Sequence, residues 1–138
     1  MHRALKPGGR VVINVPGPES AAFAAFSNAL ENHVSPEAAE FMRAVFSLSD
    51  EAELEAILTR AGFRETLVEA DVTELHLPPA QDFLWQYVRS TPLAGAIDKV
   101  DRARLAALDH DVMKAWRAFE DPQGMRWGQR VVTALGRE

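Results

Sequence analysis

Apolar residues along the chain follow two different spacings, which predict strands and helices in alternation. A continuous β-branched run occupies residues 11–15, directly after a Lys-Pro-Gly-Gly turn at residues 6–9. Unbroken runs of this kind are typical of strands that are buried on both faces, as in a parallel sheet. Pro16 and Pro18 end this strand, because proline has no N–H to donate to a neighbouring strand.

Steps of three and four between apolar residues predict five helices in the rest of the chain. The first three begin at residues that cap helices well, namely Ser20, Ser35, and either Ser49 or Asp50. Gly62 stands just beyond the third helix, where glycine commonly ends one. The predicted helices cover residues 20–32, 35–45, 50–61, 80–89 and 101–119.

Two further segments are rich in strand-forming residues. Residues 63–77 predict one long strand bent near Asp71, or two short strands, and residues 130–135 predict a closing strand after a turn at 121–124. Residues 1–5 look like the last turn of a helix whose beginning is not present. Strands that alternate with helices predict an α/β fold.

Composition excludes several classes of function. The 138 residues are 47% hydrophobic and 25% charged, and they include no cysteine, which excludes disulfides, thiol catalysis and cysteine-bound metals. A formal net charge of -5 argues against nucleic acid or an anionic membrane surface as a partner. Neither a membrane-spanning run nor the apolar core of a signal peptide is found, so the expected location is the cytoplasm.

Two motifs in order resemble class I S-adenosylmethionine-dependent methyltransferases. Residues 3–13, Arg-Ala-Leu-Lys-Pro-Gly-Gly-Arg-Val-Val-Ile, are similar to the stretch that enters the family's fifth strand. Residues 46–54 together with 61–63 are similar to the helix before the sixth strand, and residues 129–135 fit the antiparallel seventh strand. The resemblance implies the late strands of a Rossmann-like methyltransferase sheet with helical cap segments. Residues 1–138 would then form a single partial domain, the carboxyl-terminal part of that fold.

The cofactor-binding parts of the family are missing from this sequence. Family members hold S-adenosylmethionine in their first half, with a glycine-rich loop after the first strand and an acid at the end of the second. Gly8 and Gly9 precede a strand instead, and the other glycines form no such loop. S-adenosylmethionine is therefore implied for the intact enzyme, and no cofactor is expected to bind this chain by itself. Met1 is then an internal methionine taken as a start, or the chain is a natural truncation or a fragment.

Four residues are candidates for the substrate side of such an enzyme. Asn14 and Pro16 lie at the carboxyl end of the first predicted strand, where open α/β sheets place their ligands. Phe46 precedes the third helix and Trp85 lies off the apolar stripe of its own helix, so both are candidates for an apolar substrate chamber. Aromatic residues at helical spacing are also ordinary core residues. No catalytic residue is assigned, because methyl transfer from a sulfonium depends mainly on alignment and desolvation.

The histidines predict no metal site. His33 follows the first helix and is a candidate for a position near substrate. His110 lies between two aspartates at 109–111, but neighbouring residues of a helix point in different directions, so this segment is expected to be a solvated helix face.

These observations predict part of a methyltransferase that acts on a small or medium-sized molecule. The alternative is a non-catalytic module that dimerises or binds a partner chain. In either case the strand at residues 10–15 would lack a neighbour that it has in the family. The edge formed by residues 2–15 is therefore expected to pair with a second copy of the chain, or with the missing amino-terminal half.

Overall fold

The computed structural model describes residues 2–138 and has the α/β composition predicted from the sequence. Met1, the first residue of the helical turn predicted at 1–5, lies outside the described residues, and His2–Ala4 forms a 3-10 turn. The strands are β1 (Arg10–Pro16), β2 (Glu65–Leu77), β3 (Glu120–Asp121) and β4 (Gly124–Arg137). The α-helices are α1 (Ala21–His33), α2 (Pro36–Val45), α3 (Glu51–Arg60), α4 (Ala80–Arg89), α5 (Leu93–Ile97) and α6 (Arg102–Trp116).

The strands form one antiparallel sheet in the order β1-β4-β2. β4 runs antiparallel to β1, with Arg10 opposite Arg137 and Pro16 opposite Val131. The short strand β3 pairs with the beginning of β4 through a tight turn. The antiparallel closing strand predicted from the sequence is confirmed, although it begins at Gly124 rather than at residue 130.

β1 is an edge strand, and the prediction that it is buried on both faces is wrong. Its residues alternate between exposed and half-buried, and Val12 is 59% exposed. Among the described strands it pairs with β4 and with no other, and that pairing is antiparallel. The unbroken run of apolar residues therefore marks a strand with one covered face, not a central parallel strand.

The turn before β1 has the geometry that its sequence predicts. The N–H of Gly9 donates a hydrogen bond to the carbonyl oxygen of Lys6 at 2.7 Å, which closes a four-residue turn. Gly8, the third residue of this turn, has a φ of 74°. A type II turn requires a positive φ at this position, and glycine adopts it without steric cost.

The described chain divides into two compact units. The first contains the described residues up to Pro18, together with Val45–Thr73 and Gln129–Glu138, and the second contains Glu19–Ala44 and Glu74–Gly128. In the first unit, Leu58 of α3 packs with Phe63 and Ala134 to form a small buried cluster. Partly buried side chains pack against this cluster from the segment before β1, from β1 and from β2: Leu5, Val11, Ile13 and Val68.

The core of the second unit is aromatic. Phe83 of α4 is half-buried and packs on this core, with its ring centroid 5.6 Å from that of Trp116 and 5.9 Å from that of Tyr87. Trp116 is fully buried, and its indole Nε1 donates a hydrogen bond to the carbonyl oxygen of Ala22 at 2.8 Å. This hydrogen bond joins α6 to α1 inside an apolar environment. Partial burial in the same core raises the pKa of the Tyr87 hydroxyl.

Side-chain caps fix the beginnings of four helices where the sequence predicts them, and Ser35 caps α2 by accepting a hydrogen bond from the Ala38 N–H at 3.2 Å. Ser20 accepts a hydrogen bond from the Phe23 N–H, and Asp101 caps α6 in the same way. Asp50, rather than Ser49, caps α3. α6 ends at Trp116 and continues as a 3-10 turn to residue 119, and α5 is a helix that the sequence did not predict. Within residues 2–138, no helix has both the length and the apolar character needed to cross a membrane.

Replacing Gly8 by Ala is expected to lower the unfolding free energy by about 1 kcal/mol, because an L side chain is strained at positive φ. No heavy atom lies within 4 Å of the added Cβ, so the cost is purely conformational. Gly95 in α5 has equally open surroundings, and Gly95→Ala should be neutral or stabilising by up to about 1 kcal/mol. Thermal unfolding of both variants tests this, and equal midpoints would contradict the assigned turn.

Candidate functional site

The end of β1 contributes to a cavity in the first unit. This cavity has a volume of about 640 Å³, and its lining includes Asn14 of β1 and Val131 and Thr133 of β4. Asn14 and Thr133 are opposite each other in the sheet, and Asn14 Nδ2 donates a hydrogen bond to Thr133 Oγ1 at 2.9 Å. The substrate-side candidate Asn14 therefore lies in a cavity wall.

β2 contributes the rest of the lining through Glu69, Ala70, Asp71 and Thr73. Glu69, Asp71 and Thr73 are two residues apart along a strand, so strand geometry directs their side chains to one face of the sheet. All three are exposed. The period of the strand thus produces a row of polar groups along the cavity.

The cavity has an acidic lining. Two carboxylates, from Glu69 and Asp71, and no basic side chain are among the described residues that line it. Asp71 Oδ1 also accepts a hydrogen bond from the Val72 N–H at 2.7 Å. Such a lining attracts polar neutral or cationic groups and repels anions. Its carboxylate, hydroxyl and amide groups can accept hydrogen bonds from a hydroxyl or an amine and hold that group in one orientation.

Arg130 connects the exit of β1 to the beginning of α3. The Gly17 N–H donates to the Arg130 carbonyl oxygen at 2.6 Å, and Arg130 Nη2 lies 2.8 Å from Glu51 Oε2. Pro16, the second candidate of the substrate side, ends β1 opposite Val131 and therefore precedes this connection directly. The chain leaving β1 is thus tied to the first turn of a helix by one residue, which uses its backbone carbonyl on one side and its side chain on the other.

Phe46 lies in the turn that follows α2 and is 7% exposed. Phe46 is therefore a buried core residue. The lining of the 640 Å³ cavity does not include it. A substrate-side role for Phe46 stays a prediction.

Trp85 lies on α4 in the second unit, where its indole is held by a carboxylate. Its Nε1 donates to Asp109 Oδ1 at 3.2 Å, and Gln81 Nε2 donates to the same oxygen at 2.7 Å. Trp85 lines a surface groove of about 310 Å³ together with four polar residues of the same helix. These surroundings are polar, in contrast to the apolar chamber that was expected around Trp85.

The acidic segment at 109–111 makes more specific contacts than a solvated helix face. His33 Nε2 lies 2.7 Å from Asp111 Oδ2, and this hydrogen bond lowers the pKa of Asp111. His33 thus contacts α6 of its own unit. Within residues 2–138, no group of three or more histidine, aspartate and glutamate side chains is placed to hold a metal ion.

The glycines of the described chain do not fit S-adenosylmethionine. A cofactor loop of this kind needs glycine after a strand, where the missing side chain leaves room for the ligand. Gly17 follows β1, but a Cβ there would lie 2.8 Å from Arg130, so the protein itself fills this space. Gly8 and Gly95 face open space, but the first precedes a strand and the second lies within α5.

No protein-family model matches the chain, and no curated protein matches its sequence. The family resemblance therefore rests on the sequence motifs of this chain alone.

Two features of the site were missed in the sequence. The polar row of β2 has a signal in the sequence, polar residues at positions 69, 71 and 73, but the strand prediction did not use it. The role of Arg130 had no local signal, because its partner Glu51 is 79 residues away along the chain.

Replacing Asn14 by Ala should change the unfolding free energy by less than about 0.5 kcal/mol, since its hydrogen bond to Thr133 is exposed. Val132→Ala, at a fully buried position of the neighbouring strand, should cost about 2 kcal/mol. Chemical denaturation compares the two variants. A cost for Asn14→Ala as large as that for Val132→Ala would show that Asn14 has a structural role.

Proposed function

We propose that this chain is the carboxyl-terminal part of an S-adenosylmethionine-dependent methyltransferase that acts on a small or medium-sized molecule in the cytoplasm. The antiparallel pairing of β4 with β1 carries this proposal. Asn14 and Thr133, which face each other in that pairing, are 119 residues apart along the chain. The resemblance requires the closing strand to return antiparallel, and no local sequence pattern specifies its partner.

Two local features support the same interpretation. The turn at residues 6–9 has the positive φ at Gly8 that the family-like motif requires before its strand. The helix of the second motif, α3, is capped by Asp50 and is followed by Gly62, with a φ of 97°, and then by β2. Turn, strand, capped helix and strand thus occur at the positions that the resemblance implies.

In the proposed enzyme this chain would position the methyl acceptor. The cofactor's sulfonium supplies the driving force of methyl transfer when it is bound, and the protein contributes alignment and desolvation. Asn14, Thr133 and the acidic row of β2 can orient a polar neutral or cationic acceptor in the 640 Å³ cavity. The acidic lining makes an anionic polymer such as nucleic acid a poor substrate.

A non-catalytic dimerising or partner-binding module is the second candidate, and the exposed surface of the sheet favours it. The exposed fractions are 59% for Val12, 54% for Leu67 and 64% for Val72, all on edge strands. Apolar side chains beside unpaired backbone groups are a template for another strand. For either function, we propose that a second copy of the chain or the amino-terminal half of the methyltransferase covers the edge at residues 2–15.

The isolated chain should not bind S-adenosylmethionine, because the described glycines leave no room for it after a strand. Isothermal titration calorimetry with the purified chain tests this. A micromolar dissociation constant with unit stoichiometry would contradict the assignment of the cofactor site to another segment.

The intact mass of the native cellular protein separates the two functions. A mass well above that of the 138 residues, with S-adenosylmethionine bound by the longer protein, would support the enzyme. A native protein of only this length, with no cofactor binding, would favour the module.

The purified chain should be a homodimer at micromolar concentration, because a two-fold contact closes the β1 edge without forming fibres. Val12→Lys should give a monomer in light scattering, since lysine on an edge strand opposes pairing. A monomeric wild-type chain would contradict the proposed edge contact.

Leu67→Lys is the matched control for this dimer. Leu67 lies on β2, the strand at the other edge of the sheet, and its neighbour Val68 packs on the core as Val11 and Ile13 do. The side chains of Leu67 and Val12 therefore point to the same, outer face of the sheet. A dimer that survives Leu67→Lys but not Val12→Lys pairs through the β1 edge, whereas loss of the dimer in both variants would indicate contact through the face.

A further inference from the structure

Two adjoining cavities in the second unit differ in chemical character. The first, the cationic cavity, has a volume of about 330 Å³ and is lined by residues of the α1–α2 connection, α5, the α5–α6 connection and α6, including Lys99 and Arg104. The second, the apolar cavity, has a volume of about 180 Å³ and lies between α2 and the beginning of α5. Ser35 and Ala96 line both cavities, so the two share a wall.

The basic side chains of the cationic cavity have no acidic partner. Lys99 and Arg104 are both exposed, and within residues 2–138 neither forms an ion pair. Asp101 is the acidic side chain of the lining, and its Oδ1 accepts a hydrogen bond from the Arg104 backbone N–H at 3.0 Å as the cap of α6. Two cations and one carboxylate leave this cavity with a net charge of about one positive unit.

The apolar cavity offers hydrocarbon surface beside these charges. Its lining includes Phe41 of α2 and Leu93 of α5, with Pro92 between the helices. Glu37 is the acidic residue of its lining and lies in the first turn of α2. A ligand that filled both cavities would place an apolar body against Phe41 and Leu93 and a charged head beside Lys99 and Arg104.

We propose that the two cavities form one binding site for a small amphipathic carboxylic acid. The guanidinium of Arg104 matches a carboxylate in geometry, because it can donate two parallel hydrogen bonds. The cationic cavity, with a net charge of about one positive unit, suits a monoanion better than the dianion of a phosphate monoester. Glu37 of the apolar cavity brings the net charge of the two linings together to about zero. This site depends on the helices of the second unit, so it does not rest on the proposed methyl transfer.

Octanoate is the probe, titrated into the full chain by calorimetry, with octanol, octylammonium and octyl phosphate as comparison ligands. Octanoate should bind with a dissociation constant of about 1 mM or below, and the neutral alcohol should bind at least about fivefold more weakly. Octylammonium should bind more weakly still, because Lys99 and Arg104 repel it.

Lys99→Gln and Arg104→Gln should each weaken octanoate binding by about fivefold or more. Arg102→Gln is the matched control, since Arg102 lies in the first turn of the same helix and is absent from the lining. Its affinity for octanoate should equal that of the wild-type chain. Each of these side chains is exposed, so circular dichroism should report an unchanged fold in all three variants.

Several results would overturn the proposal. If octanoate does not bind at millimolar concentration, the two cavities do not form the proposed site. If octanol binds as tightly as octanoate, the cavities bind apolar groups but do not recognise the anion. If octyl phosphate binds at least about tenfold more tightly than octanoate, the site prefers a phosphate and the proposed preference for a carboxylate is wrong. Equal losses in Lys99→Gln, Arg104→Gln and Arg102→Gln would show an effect of net charge alone.

Discussion

The sheet depends on the hydrogen bonding of β4 on both of its sides. β1 and β2 both pair with β4, and in the described chain no other strand pairs with either of them. β1 lies near the beginning of the chain and β4 at its end, so their contact closes most of the polypeptide into a loop. Closing so long a loop costs entropy before any contact compensates for it. The register of Arg10 with Arg137 and of Pro16 with Val131 must therefore be specified by side chains along the whole strand.

This arrangement explains why Val12 and Leu67, on the two edge strands, are exposed. α3 covers one face of the sheet through Leu58, which packs against Phe63 and Ala134. Because side chains alternate along a strand, the neighbours of these core residues point to the opposite face. Among the described residues, every exposed large hydrophobic side chain belongs to the first unit: Val12, Val45, Leu48, Leu67 and Val72.

The sequence predicted features that depend on neighbouring residues better than features that depend on residues far apart along the chain. The cap at Ser20 and the turn at Gly8 are local, and the structure has them where the sequence predicts them. Burial of β1 depends on strands and helices far along the chain, so its apolar run predicted a central strand when it forms an edge. α5 is five residues long, too short for a helical period to be recognised. β4 extends back to Gly124 because β3 pairs with its first residues, a contact that turn residues alone do not indicate.

The same difference between local and long-range interactions explains which parts of the two proposed sites could be predicted from the sequence. The row at Glu69, Asp71 and Thr73 follows from strand period once β2 is assigned, and only its proximity to Asn14 needs the tertiary structure. In the second unit, by contrast, Lys99 and Arg104 come together with Ser35 only because the α1–α2 connection, α5, the α5–α6 connection and α6 meet at one cavity. The two linings differ in the sign of their charge, so a given small ion is attracted to one of them and repelled by the other. The two proposed activities, binding of an anion at the helical site and of a polar or cationic acceptor at the sheet, therefore depend on different linings, each within its own unit.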